Sequence, residues 1–214
     1  MSVLRELSER LQRGQAKEVE ALVQQALDEG ETPQRILEDG LMQGMGVIGE
    51  RFKANEVFVP EVLIAARAMH AGIAVLEPHL VSAGVKARGK VVLGTVKGDL
   101  HDIGKNLVRM MMEAKGLAVI DLGVDVSAER FVRAATEHDA DIVACSALLT
   151  TTMTEMRHVV EAAQAQGLRG RVCIMVGGAP VTDAFREAIG ADLYAPDASS
   201  AADAALAHCA GRAS

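Results

Sequence analysis

The hydrophobic period of this chain changes once, near residue 89, and the change decides how many modules it builds and of what kind. From residue 3 to residue 82 apolar side chains recur every three or four positions, the spacing of one helix face. From Lys90 onward, short apolar runs alternate with helical patterns, as in successive βα units. Between the two, Ser82-Ala83-Gly84-Val85-Lys86-Ala87-Arg88-Gly89 follows neither pattern, is small and basic, and reads as a linker. The expected domains are therefore 1–85, all helical, and 86–214, α/β.

In the first module Val3, Leu4, Leu7 and Leu11 line one short helix, and Val19, Leu22, Val23, Ala26 and Leu27 line a second. Gly30 ends the second, and Thr32-Pro33 supplies an N-cap and a first helical residue for a third. The third carries Leu37, Leu41, Met45, Ile48 and Phe52 on its apolar face. Asn55 can close the next turn, and Pro60 opens a fourth helix with Val62, Leu63, Ala66, Met69, Ile73, Leu76 and Leu80 inward. Short loops make these four an antiparallel bundle.

In the second module strands are expected at 90–96, 117–122, 142–146, 172–176 and 192–195, with amphipathic helices between and after them. Connections of that length join parallel strands, so the fold class is α/β, with a five-stranded parallel, doubly wound sheet after the bundle. The core has to be aliphatic, because the chain has no Trp, one Tyr and four Phe but ten Met. A formal charge of −7 leaves no broad basic footprint for nucleic acid. Cys145, Cys173 and Cys209 are odd in number, widely spaced and mostly set in apolar runs, so buried reduced thiols are expected rather than disulfides or zinc. Neither a signal sequence at residues 1–15 nor an unbroken membrane-spanning run is apparent, so a cytoplasmic protein is expected.

The loop leaving the first strand, Gly94-Thr95-Val96-Lys97-Gly98-Asp99-Leu100-His101-Asp102-Ile103-Gly104-Lys105-Asn106, lies at the carboxyl edge of the sheet, where open α/β folds bind ligands. It holds one imidazole, His101, with a carboxylate two residues before it. A ligating histidine usually gives its second ring N–H to such a carboxylate. Three residues of this kind also fit an ordinary βα turn; a phosphate loop would need a glycine pattern that is absent here. The third strand ends in Cys145-Ser146-Ala147-Leu148-Leu149-Thr150-Thr151-Thr152, and the fourth in Val176-Gly177-Gly178-Ala179-Pro180. A hydroxyl row suits helix capping or a polar ligand, and paired glycines suit a turn or a ligand lying close to backbone. A phospho-receiver domain of the same topology would require an acid where Cys145-Ser146 stands and a Lys after the fifth strand.

Taken together, Asp99-x-His101-x-x-Gly104, then Ser146-x-Leu148 after 41 residues, then Gly177-Gly178 after 28 more, resemble the cobalamin-binding signature of B12-dependent methyltransferases. Val47-Ile48-Gly49-Glu50-Arg51-Phe52, Phe58-Val59-Pro60-Glu61 and Ala65-Ala66-Arg67-Ala68-Met69 resemble the helical cap module of the same family. The resemblance covers nearly the whole chain and implies a four-helix cap followed by a Rossmann-like cobalamin domain.

It also implies roles. His101 would be the lower axial ligand of cobalt, taking the place of the cofactor's dimethylbenzimidazole, with Asp99 as its hydrogen-bonding partner and Thr152 as the hydroxyl member of the network. Asp102, Ile103, Gly104, Ser146, Leu148, Thr150, Gly177, Gly178 and, at the edge, Tyr194 would line the cofactor and its inserted tail. Phe52, Val59 and Met69 would belong to the apolar cap over the methyl-bearing face. The family cycles between methylcobalamin and cob(I)alamin, and a proton entering the His101, Asp99 and Thr152 network would couple ligand release to reduction.

A chain of 214 residues leaves no room for a substrate domain, so the resemblance is to the small corrinoid proteins that carry methyl groups in methanol, methylamine or methoxyaromatic metabolism. The implied partners are a substrate-specific methyltransferase, a second methyltransferase delivering to a folate or thiol, and a reductive activator, with neither nucleic acid nor membrane. The alternatives are the small subunit of an adenosylcobalamin-dependent mutase, which generally lacks a helical module, and a B12-dependent sensor, which would carry an additional output domain.

Overall fold

The computed structural model describes residues 2–212 and divides the chain into two compact units, the first ending at Lys86 and the second beginning at Ala87. The helical unit consists of α1 (Val3–Gln12), α2 (Ala16–Asp28), α3 (Pro33–Arg35) continuing through a π-helical segment (Ile36–Met42) into α4 (Gln43–Lys53), and α5 (Val59–Ser82). Its ends follow the local chemistry. Ser2 accepts the Arg5 N–H at the start of α1, and Thr32 accepts the Arg35 N–H with Pro33 behind it. Asn55 takes a left-handed φ of 57° in the turn before α5, and the Phe58 N–H at its start donates to Glu61 Oε2 at 2.9 Å.

The third helix departs from the uniform period expected of it. Its π segment places Ile36 and Leu41, five residues apart, on one buried face, and leaves Leu37 half-buried. Small residues let this widened helix approach α1: a Cβ on Gly40 would stand 2.5 Å from Leu7 Cδ2, and one on Gly44 would stand 3.0 Å from the Ser8 carbonyl. Among the described residues, α5 is the one helix long and apolar enough to cross a membrane. Glu61, Arg67 and Glu77 interrupt it, and its Val62, Ala66, Met69, Gly72 and Leu76 are buried, with Gly72 set against Val19 of α2 and Leu41.

The second unit runs β1 (Lys90–Thr95), α6 (Ile103–Ala114), β2 (Ala118–Asp121), α7 (Ala128–Glu137), β3 (Ile142–Ser146), α8 (Thr154–Ala165), β4 (Cys173–Gly177), α9 (Asp183–Ile189), β5 (Leu193–Tyr194) and α10 (Ala198–Arg212). All neighbours are parallel, in the order β2-β1-β3-β4-β5. One face buries Val92, Val96, Val143, Cys145, Ile174 and Val176 with Phe131, Met156, Val159 and Ile189 from α7, α8 and α9. Alternation sends Val91, Leu93, Thr95, Ile142, Ala144, Ser146 and Gly177 to the other face. The three cysteines are free and buried, and loss of solvation pushes the thiols of Cys145 and Cys173 up to about 12, so they stay protonated.

Because the Gly40 site has no room for a methyl group, Gly40→Ala is expected to cost about 1–3 kcal/mol. Denaturant unfolding of the whole chain measures this; an unchanged midpoint would show that Leu7 and the π segment yield freely.

Candidate functional site

The strand order reverses at β1, whose two neighbours are β2 and β3. The chain leaves β1 toward α6 and leaves β3 toward α8, on opposite faces, and a crevice opens between the two exits at the carboxyl edge of the sheet. Asp99 and His101 lie in the first exit, Leu148 to Thr152 in the second.

Asp99 joins them. Its side chain is fully buried, and both carboxylate oxygens are occupied. Oδ1 accepts the His101 backbone N–H at 3.0 Å and faces His101 Nδ1 at 2.9 Å. Oδ2 accepts the Leu148 N–H at 2.8 Å, the Leu149 N–H at 3.3 Å and the Thr152 hydroxyl at 2.8 Å. Burial alone would raise the pKa of this carboxyl. The hydrogen bonds from Leu148, His101 and Thr152 outweigh burial and hold it well below the usual carboxylate range. Thr152 is itself buried; its one proton has a second acceptor in reach, the Leu149 carbonyl at 3.0 Å.

The tautomer of the imidazole follows. An ionised Asp99 can only accept, so the proton between Asp99 Oδ1 and His101 Nδ1 belongs to the histidine. In the neutral ring Nε2 then carries the lone pair. The His101 side chain is 53% exposed, against 0% for Asp99. Thr95, buried at the end of β1, donates its hydroxyl to the His101 carbonyl at 2.8 Å and fixes the backbone behind the ring.

Beside the imidazole, register places Thr95, Ser146 and Gly177 in one row across β1, β3 and β4. The row loses bulk toward β4. Gly178 follows with φ 135°, and a Cβ there would collide with the Ala147 carbonyl, so only glycine can occupy the site. The Ala147 N–H donates to the Gly177 carbonyl at 3.2 Å and closes the two strand ends together. Around this edge four large apolar side chains face solvent: Leu100, Ile103, Leu148 and Leu149.

Two descriptions of a B12 binding domain match the chain, one over residues 89–206 and the other over residues 3–77. A corrinoid protein of Desulfitobacterium hafniense is 42% identical over 208 residues, covering 96% of each chain. Dimethylamine corrinoid protein 3 of Methanosarcina acetivorans is 46% identical over 169 residues, 79% of each chain. The chain belongs to the B12-binding corrinoid proteins. A solved chain of the methanol:cobalamin methyltransferase complex from Methanosarcina barkeri superposes with a TM-score of 0.87 at 31% identity, over 98% of this chain and 80% of that one. The corrinoid protein thus has the expected fold class, a helical module followed by a five-stranded parallel α/β domain.

The residues present suit such a cofactor. Among the described residues no three His, Cys, Asp or Glu side chains converge as a metal-binding set, so a metal held at this edge would have to bring most of its own ligands. The apolar side chains beside His101 suit a broad hydrophobic ring. A polar tail has a counterpart too: Ser199, in the first turn of α10 at the same sheet edge, has a buried hydroxyl with no hydrogen-bond partner.

The remaining expected residues are placed as follows. Gly104 opens onto free space, Ile103 and Thr150 are exposed, and Asp102 accepts from Asn106 Nδ2 at 3.2 Å. Tyr194, in β5, packs half-buried on the α7, α8 and α9 face, the face opposite Ser146 and Gly177. In the helical unit Phe52 and Val59 retain exposed surface, whereas Met69 lies on the buried face of α5. Thr95, Leu100, Leu149, Asp125 and Ser199 carried no individual sequence signal, since each acts through backbone contacts or fold position.

A carboxylate with a lowered native pKa stabilises the fold above its unfolded value of about 3.9, and this contribution fades as pH falls through that value toward the native one. Asp99→Asn is therefore expected to lower the unfolding midpoint of the cofactor-free corrinoid protein most at pH 6–8, roughly, and progressively less below about pH 4. A difference independent of pH would contradict the ionised, hydrogen-bonded Asp99.

Proposed function

We propose that this corrinoid protein carries a methyl group on cobalamin between a substrate-specific methyltransferase and a second methyltransferase, and that His101 Nε2 would hold the cobalt. One observation carries the reading: the buried Asp99 carboxylate faces His101 Nδ1 at 2.9 Å while the histidine side chain is half exposed, an arrangement that suits Nε2 as the donor to a metal. Bound cobalamin would supply a cobalt centre able to accept and release methyl groups.

The chain's own residues then do three things. Asp99, Thr152 and Thr95 hold the imbedded side of the histidine in one orientation, so that binding a metal costs little rearrangement. Leu100, Ile103 and Leu148, exposed in the cofactor-free protein, would cover apolar surface of a bound corrin ring and so exclude water there. The Asp99 carboxylate at Nδ1, 2.9 Å away, would keep the ring turned so that Nε2 can hold the cobalt.

Ser146, Gly177, Gly178 and Ser199 would hold the inserted tail, with Gly104 leaving space beside α6. Phe52 and Val59 are proposed as the apolar contribution of the helical module. The relatives' names, a dimethylamine corrinoid protein and a methanol:cobalamin methyltransferase complex, support a small methylated donor handled by a separate enzyme. Delivery to a folate or thiol, reductive reactivation and work in the cytoplasm complete the proposal. The match of residues 3–77 to a B12 domain description of its own favours the carrier over a mutase subunit built from the α/β domain alone.

Reconstitution with cobalamin, desalting and visible spectroscopy test this. The expected result is retained corrinoid whose spectrum at neutral pH differs from that of His101→Ala. Identical spectra would remove His101 from the metal, and loss of corrinoid from the wild type would overturn the reading as a whole.

A further inference from the structure

The Asp99 carboxylate is held from the β3 side, but the backbone that carries it is held from the β2 side. Beyond the end of β1 the pairing with the β2 exit continues: the Thr95 N–H donates to the Gly123 carbonyl at 2.9 Å, and the Val126 N–H to the Thr95 carbonyl at 3.0 Å. It finishes on Asp125. The Asp125 N–H donates to the Asp99 carbonyl at 3.0 Å, while Asp125 Oδ1 accepts the Gly98 N–H at 2.7 Å. One residue thus grips two consecutive residues of the histidine loop, with a donor on one and an acceptor on the other.

The backbone there is specialised for the grip. Asp125 has φ 53° and Gly98 has φ 77°, both left-handed. Asp and Asn are the side-chain-bearing residues that enter this region most readily, and both carry an oxygen that can accept the Gly98 N–H. Alanine offers neither property and glycine offers only the first. Asp125 is exposed, so its place there serves this loop and not a core.

We infer that Asp125 is a positioning residue for the His101 ligand, a latch from the β2 exit that fixes the backbone of Asp99. Together the two sides hold Asp99 at its carbonyl and at its carboxylate, leaving the Asp99 Oδ1 to His101 Nδ1 contact little freedom to rotate. Without the latch the loop from residue 97 to residue 101 keeps its β3-side bonds but loses the constraint on its approach to α6. The ring then samples orientations in which Nδ1 is not bound to Asp99, and the second tautomer appears.

The inference rests on the ligand reading above, so the experiment reads the protein with and without cofactor. Asp125→Ala, Asp125→Gly and Asp125→Asn are compared with wild type by nitrogen NMR of the cofactor-free protein, which reports the His101 tautomer. Visible spectra at one neutral pH after reconstitution report the ratio of His-ligated to unligated corrinoid. The expected result is a mixed tautomer and a ratio lower by about tenfold, the upper scale of one hydrogen bond, in Asp125→Ala and Asp125→Gly, with Asp125→Asn close to wild type. Wild-type behaviour of both Ala and Gly variants overturns the latch, as does a wild-type-like Gly variant beside a defective Ala variant, which would assign the effect to φ alone. An Asn variant as defective as Ala also overturns it, because charge would then matter and the hydrogen bond would not. If wild type retains corrinoid without a His101-dependent spectrum, the ligand reading fails, while the cofactor-free NMR still decides whether Asp125 sets the tautomer.

Discussion

A single buried carboxylate organises the functional edge of this protein. Asp99 is surrounded by donors from two strand exits, and the chemistry of His101 depends on its remaining ionised. An isolated buried carboxylate would be expected to protonate. Protonated, it would compete as a donor and leave the imidazole free to choose its tautomer. The donors from Leu148, Leu149 and Thr152 prevent this, and they exist because β3 runs parallel to β1 in a register that ends both strands together at Thr95 and Ser146. Sheet topology thus sets the protonation state of a side chain in a loop.

Much of this was legible in the sequence, and the parts that were not share a cause. The five strands fall within a residue or two of their expected ends, because buried parallel strands are short, apolar and bounded by helices. Asp99, His101 and Thr152 could be singled out because their side chains do the work. Asp125 could not, since half of its grip is a backbone N–H and its left-handed φ has no periodic signature. Leu149 contributes an amide and Ser199 an unpartnered hydroxyl, and both are revealed by position in the fold. In the helical unit the π segment was invisible for another reason: period counting assumes one helix geometry, and the insertion moves Ile36 inward in place of Leu37.

Glycine is used on this edge as a means of bringing backbone close. Gly178 lies where any side chain would strike the Ala147 carbonyl, and with Gly177 it leaves the β3 and β4 exits low beside the imidazole. The large apolar side chains exposed around this low wall, Leu100, Ile103, Leu148 and Leu149, are aliphatic. Such a surface suits a ligand that is broad, mostly apolar and supplied with its own metal ligands, and it matches the membership of the chain among B12-binding corrinoid proteins.

The central proposal is that His101 would give its Nε2 to the metal while Asp99 holds Nδ1. Electron paramagnetic resonance of the protein reconstituted with cobalamin and poised as cobalt(II) tests it most directly, with histidine either unlabelled or labelled with nitrogen-15. A histidine ligand predicts superhyperfine lines split as triplets in the unlabelled protein and as doublets in the labelled one. Triplets that persist in the labelled protein would mean that the cofactor's own base remains on the metal, and would contradict the account.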